Sequence, residues 1–562
     1  MVQEVLICIS LIIVIATVLT IIFRLIKQPP IIAYLITGVL AGPFFLNLVR
    51  GNSYEIINLF AHLGVAFLLF IVGLNLNWRV LKEVGIVSTF AGIAEILITG
   101  VIGFLIAFGL GFSNNSALYL GIAIAFSSTV VVVKILSDKK EIDTLHGKIS
   151  LGILIIEDFI AAIALMIIPI VSGGKILNNL LIKGSLILVL IALIFFISHI
   201  LFKKFLNYLA RSQEILFLFG LTWALVLSIL FNKLGFSLEI GALIAGMSLA
   251  SSRYHMELGD KMKTLRDFFI ILFFVFFGIQ LAGTLNYFII RNAILLSFFV
   301  IIGKPIIVMI ILRIFGYKKR TNFLAGINIA QISEFSLIIT LLGFTLGHIG
   351  QEIMSLIVLV SIITIGLSSY SIYYSNHIFN KLSKWLNIFE GKREFGVRSK
   401  KKDYKILLFG YHRAGYKILK ILKSMNVSFA VVDYNPKVIL SLVNQGIDCI
   451  YGDASDKEFL NELELDKTSL IISTIPDEQS NIFIREKLKE VKSDSVFIAT
   501  AEHSASALDL YREGIDYVIV PHYLGGDYAA NIIKNFGTKK EGYKELRKKH
   551  LKELRDERKF DF

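Results

Sequence analysis

The stretch GILIIEDFIA (residues 152–161) sets Glu157 and Asp158 side by side inside an apolar run from Ile149 to Val171. A run of about 20 apolar residues spans a bilayer, and a charge at its centre costs roughly 2.5–3.5 kcal/mol on insertion scales. Two carboxylates at that depth are a functional signature, because only binding or relaying an ion repays their cost. Adjacent helical residues diverge by about 100°, so the two acids cannot point the same way. Asp158 is therefore assigned the ligand role and Glu157 a supporting one.

The rest of the chain fits a membrane setting. Of 562 residues, 55% are hydrophobic, and the mean hydropathy is +0.73. Thirteen spans are expected: 4–23, 31–49, 56–76, 86–110, 117–136, 149–171, 184–202, 214–231, 238–252, 267–285, 293–312, 321–344 and 352–375. Val5–Phe23 is long enough to span and lacks a basic start, so it reads as the first helix and not as a cleaved signal. With the N-terminus outside, the loops predicted to be cytoplasmic hold eighteen Lys and Arg against five in the opposite loops, in accord with the positive-inside rule. The net charge of +14 is thereby explained by topology, and nucleic acid is not an expected partner. Cys8 and Cys449 lie in different regions, which leaves no disulfide framework or CxxC metal site.

Two spans carry polar interruptions. Phe126-Ser127-Ser128-Thr129 breaks the fifth and Gln331-Ile332-Ser333-Glu334 the twelfth. They are seven spans apart, which suits two inverted halves, helices 1–6 and 8–13. Interrupted helices at matching positions of two halves are the best sequence pointer to a transport site, since the break frees backbone groups for an ion. Ser128 and Thr129 are expected at the ion site, with Gln331, Ser333 and Glu334 supporting the second break. Lys304, before Pro305 in the eleventh span, needs a carboxylate partner at that depth; Glu157 and Asp158 are the candidates. Gly38, Gly42, Gly241 and Gly246 read as close helix contacts, not chemistry.

A basic linker over 381–403 separates the membrane domain, 1–380, from a region of alternating strands and helices over 404–525, followed by a charged helical tail, 526–562. Strands are expected near 404–409, 428–433, 448–451, 468–474, 495–500 and 516–520, which predicts a parallel, doubly wound Rossmann-like sheet. Ile406 to Gly410 runs into a glycine turn that ends at Gly415, and Asp433 closes the next strand. This is the arrangement that binds an adenine nucleotide, with phosphate over the helix N-terminus and the acid on the ribose. His412 replaces the middle glycine, which hinders a pyrophosphate and favours AMP over NAD(H). Arg413 is placed to pair with phosphate. No catalytic domain follows the sheet, so the nucleotide is expected to regulate and the chain is not expected to be an enzyme.

Together SSTVVVVKILSDK (127–139), GILIIEDFIA (152–161), GALIAGMSLA (241–250), FFVFFGIQL (273–281) and GINIAQISEFSLI (326–338) resemble the cation:proton antiporter-2 family. The likeness is greatest to Kef-type members with a C-terminal KTN (RCK, TrkA-N) domain. The resemblance implies thirteen helices with two crossed broken ones, alternating access, and a homodimer in the plasma membrane with the C-terminal domain in the cytoplasm. It places the ion-carrying carboxylate on Asp158 and adds Gly452, Asp453 and Thr474 around the adenosine. Relatives often show Gln-Asp, Asn-Asp or Asp-Asp where this chain has Glu-Asp; an ionisable first residue resembles the electrogenic members, while the domain layout points to potassium. The expected activity is exchange of K+ or Na+ for protons, in the service of pH homeostasis. The competing reading is a nucleotide-gated, K+-channel-like cation permease, disfavoured by the lack of a TVGYG-like filter.

Overall fold

The computed structural model describes residues 2–391 and 403–557 apart from 44, 50, 76–84, 140, 143, 172–188, 191, 197, 199–205, 207–208, 210–211, 235–237, 251, 253, 282–285, 412–414, 426, 434–435, 453 and 455–456. It falls into two units, Met1–Gly391 and Lys392–Phe562. The first consists of helices α1 (Val2–Leu25), α2 (Pro30–Ala41), α3 (Asn52–Asn75), α4 (Ile86–Gly109), α5 (Asn114–Ala125), α6 (Thr129–Asp138), α7 (Leu145–Val171), α8 (Gln213–Lys233), α9 (Leu238–Leu249), α10 (His255–Leu281), α11 (Tyr287–Phe298), α12 (Lys304–Ile314), α13 (Lys319–Asn328), α14 (Glu334–Thr345), α15 (Gln351–Tyr373) and α16 (Ser375–Leu382). Among the described residues nine helical stretches are long and apolar enough to cross a bilayer, α5–α6 and α11–α12 each counting as one. Pro30–Ala41, Leu238–Leu249 and the interrupted α13–α14 account for three further expected spans; the seventh, 184–202, lies largely outside the described residues.

Two boundaries and one internal turn differ from expectation. The second helix stops at Ala41 rather than near 49: Gly42 is extended (φ −70°, ψ −179°), and the residue before Pro43 is barred from helical geometry. The tenth helix begins at His255, twelve residues before the apolar run, because its charged first turns still bury Leu258 and Met262 one turn apart. The eleventh span contains a π-turn at Phe299–Gly303 just ahead of Pro305, where proline has no N–H to donate.

The helices pack in two groups. In one, α3 lies along α9 and α10, and α10 also along α2. A Cβ on Gly38 would stand 2.0 Å from the Val275 carbonyl, and one on Gly278 2.0 Å from that of Leu35, so α2 and α10 cross in backbone contact. In the other group α4 packs on α5, α7 and α12, while α13 packs on α7 and α12. These helices position the site.

The second unit is a six-stranded, wholly parallel sheet: β1 (Ile406–Phe409), β2 (Phe429–Asp433), β3 (Cys449–Tyr451), β4 (Leu470–Ser473), β5 (Val496–Thr500) and β6 (Tyr517–Ile519), in the order β3-β2-β1-β4-β5-β6. That is the doubly wound dinucleotide-fold order, with its switch point between β1 and β4. The helix after β1, α17, runs from Gly415 to Ser424. A charged helix, Lys540–Glu557, lies within the tail.

Candidate functional site

Four helix ends meet where α5–α6 and α13–α14 are interrupted. Phe126 and Ser128 are extended (ψ 142° and 112°), and so is Ser333 (ψ 162°). The two serines cap α6 and α14: Ser128 Oγ accepts from Val131 N at 3.3 Å, and Ser333 Oγ from Phe335 N at 3.1 Å. The two breaks are tied together. Ser127 Oγ donates to the Ile329 carbonyl (3.2 Å), Gln331 Nε2 to that of Ser128 (3.3 Å), and Ser336 Oγ to that of Ala123. Ser368 Oγ on α15 in turn donates to Gln331 Oε1.

Charges sit at these ends with the sign that the helix dipoles favour. At the C-terminus of α5, Lys304 Nζ donates to Ala125 O and to Ser127 Oγ, both at 2.8 Å. Thr129, the first residue of α6, donates its hydroxyl to Asp158 Oδ2 at 2.9 Å. Glu334 is the first residue of α14 and interacts electrostatically with Asp158. Glu157 turns the other way: its Oε2 accepts from Ser127 N at 2.6 Å, and it is wholly buried, whereas Asp158 is only half-buried. The doublet thus divides into one acid that pins the break and one that lies open between both interruptions.

Lys304 corrects an expectation. Its ion-pair partner within 4 Å is Glu95 on α4, at 3.6 Å, with both side chains fully buried, while Glu157, the expected candidate, lies within electrostatic reach of the same ammonium. Thr99 Oγ1 donates to Glu95 Oε1 at 2.8 Å. The signal was a lone acid in the apolar run AGIAEILITG (91–100), one turn before a threonine on the same face. Its lysine lies 209 positions away, so sequence spacing could not pair them.

In the second unit the glycine turn is built as such turns require. Gly410 has φ +83°, and a Cβ there would stand 2.7 Å from Thr474 Oγ1; one on Gly415 would stand 2.4 Å from the Gly410 carbonyl. These are the tight-turn and close-packing roles of the first and third glycines. Thr474 Oγ1 donates to Gly410 O at 2.9 Å, so this residue braces the turn. Asp433 stands at the end of β2, one carboxylate oxygen accepting from Tyr411 N at 2.9 Å. Burial, with the Asp448 and Asp433 charges adding, pushes the nearby Cys449 thiol up to about 12, which keeps it protonated and inert. His412, Arg413 and Asp453 lie outside the described residues.

The profile of the family "Sodium/hydrogen exchanger, transmembrane" matches residues 11–373. The chain belongs to the sodium/hydrogen exchanger family. The TrkA-N domain profile matches residues 406–521, and the two together make this exchanger a Kef-type member of the cation:proton antiporter-2 group. YbaL of Escherichia coli (strain K12) is 26% identical over 533 residues, 90% of this chain and 93% of that one. The glutathione-regulated potassium-efflux system protein KefC of Escherichia coli O81 (strain ED1a) is 26% identical over 497 residues, 86% of this chain and 78% of that one. Among solved structures, the sodium proton antiporter MjNhaP1 of Methanocaldococcus jannaschii has 18% identity and a TM-score of 0.47, covering 68% of this chain and 100% of that one. The exchanger is therefore a multi-pass membrane protein and a cation:proton antiporter with a TrkA-N domain.

Proposed function

We propose that Asp158 carries the exchange, holding either a monovalent cation or a proton. The observation behind this reading is its place: half-buried, beside the Thr129 hydroxyl, between two helix interruptions. Small hard cations take oxygen ligands, which a carboxylate, a hydroxyl and backbone carbonyls at a helix break supply. A proton on the carboxylate occupies the same lone pairs, so the two substrates exclude one another, and an empty charged carboxylate, costly to move through an apolar interior, keeps their movements coupled. Glu157 and Lys304 act from behind, Glu157 on the Ser127 amide and Lys304 on the Ala125 carbonyl. Gln331, Ser333 and Glu334 hold the second break beside them. K+ is the first cation to test, because KefC is named for potassium efflux; Na+ is the second.

The N-terminus lies outside and the TrkA-N domain in the cytoplasm, the orientation that the Lys and Arg distribution favours. The second domain binds an adenine nucleotide, AMP or NAD(H), as regulator. Gly410, Gly415 and Asp433 fit one, since the turn admits no side chain at either glycine. His412, Arg413 and Asp453 complete the set expected around it, with Thr474 bracing the turn. Two copies of the chain pair as a homodimer.

The test is reconstitution with an internal pH dye. Addition of K+ or Na+ should move protons in wild type, and Asp158→Asn should abolish the movement. Wild-type exchange in that variant would remove Asp158 from the mechanism, and cation flux without proton movement would establish a channel instead.

A further inference from the structure

A cavity of about 270 Å3 lies between the two helix groups. One wall is formed by the helices that bear the interruptions and Asp158: Leu165 and Pro169 of α7, and Ile338, Leu341 and Thr345 of α14. At 1.5 Å rise per residue, Leu165 lies about 10 Å along α7 from Asp158, and Ile338 about 6 Å along α14 from Glu334. The cavity therefore begins one to two helical turns beyond the exchange site along both helices. The opposite wall belongs to α3, α8 and α9, and it is polar: His62, Asn232 and Glu239. His62 Nδ1 and Glu239 Oε1 are hydrogen-bonded at 3.0 Å, the side chains being 24% and 13% exposed. Among the described residues that line the cavity, these are the only two with ionisable side chains.

The end at which the cavity lies is fixed by the chain path. Leu346, on its rim, belongs to the connection from α14 to α15. Helix α15 then runs 23 residues to Tyr373, about 34 Å and enough to cross the hydrocarbon layer. The chain leaves the membrane unit beyond that point. The cavity thus belongs to the face opposite the one from which the TrkA-N domain departs.

We propose that Glu239 is a second cation station, which binds the monovalent cation in this cavity on its way to or from Asp158, and that His62 positions its carboxylate. A carboxylate set in a partly enclosed cavity with a largely apolar lining concentrates cations more strongly than one on an open surface, because low-dielectric surroundings focus its field. The bond from His62 fixes the carboxylate on the wall that faces α7 and α14, so an arriving ion is met across the cavity from the helices that lead to Asp158. The proposal rests on the exchange reading above, and the experiment separates the two.

The experiment measures cation-driven proton flux in right-side-out and everted vesicles, with K+ (or Na+) varied on one face at a time. In Glu239→Gln, KM for the cation on the face opposite the TrkA-N domain should rise about fivefold, the shift that roughly 1 kcal/mol produces. The maximal rate and the KM on the TrkA-N face should stay at wild-type values, which also reports that the variant folds. His62→Gln should shift the same KM in the same direction by less, and Glu239→Asp should restore part of the loss. Equal KM changes on both faces, or none on either, would overturn the station while leaving exchange at Asp158 intact. Absence of exchange in wild type would overturn the reading on which it rests.

Discussion

Lys304 shows what a single residue contributes at this depth. Its ammonium is buried with Glu95 at 3.6 Å and donates to Ala125 O and Ser127 Oγ, so it fastens α4, the end of α5 and α12 at one point. Removing one partner of a buried pair typically costs about 3–5 kcal/mol, because the other is left charged and uncompensated. Glu95→Gln should therefore lower the melting temperature of the detergent-solubilised protein markedly. The double variant Glu95→Gln/Lys304→Met, which removes both members of the pair, should recover part of the loss, Glu157 staying buried nearby. A double variant as unstable as the single one would mean that the pair matters through its hydrogen bonds and not its charge. The acidic doublet was legible because two adjacent charges in an apolar run admit few explanations. Glu95 and the His62–Glu239 pair were not, since each partner reads as an isolated polar residue until the fold brings them together.

Among elements, the two interruptions were read correctly from composition, because hydroxyl and amide side chains in a span compete with the backbone for hydrogen bonds. What bonds to what was hidden: the ties from Ser127 to Ile329 and from Gln331 to Ser128 cross more than 200 positions. The early stop of α2 was available in Gly42-Pro43, a local rule outweighed by the apolar residues beyond it. Close crossings carry their own prediction. Gly278→Val places side-chain atoms where the Leu35 carbonyl already stands 2.0 Å from a bare Cβ, so α2 and α10 must separate, at a cost of about 1–3 kcal/mol or more. Fluorescence-detected chromatography should show a lower yield of monodisperse protein than for Gly259→Val, since a Cβ on Gly259 meets nothing within 4 Å. Equal yields would contradict the crossing.

For the whole molecule, an exchanger unit is joined to a TrkA-N unit, and the function proposed above makes ion traffic answerable to a nucleotide bound by the second. The six strands were legible nearly to the residue, because buried parallel strands are short β-branched runs between polar stretches. The ligand is a question for the glycine turn. Gly410→Ala forces an L-residue to φ +83° and against Thr474 Oγ1; calorimetry on the full chain with AMP and NADH should show binding in wild type that is lost or weakened at least about tenfold, some 1.4 kcal/mol, in the variant. Binding unchanged in Gly410→Ala would put the nucleotide elsewhere. The central claim, that cation and proton compete for Asp158, is tested most directly by counting protons released when the cation binds. Titration of the purified protein with K+ or Na+ in two buffers of different ionisation enthalpy gives that number. The account predicts a fraction of a proton released per bound cation, larger at lower pH and absent in Asp158→Asn; cation binding that releases no protons at any pH in wild type would contradict it.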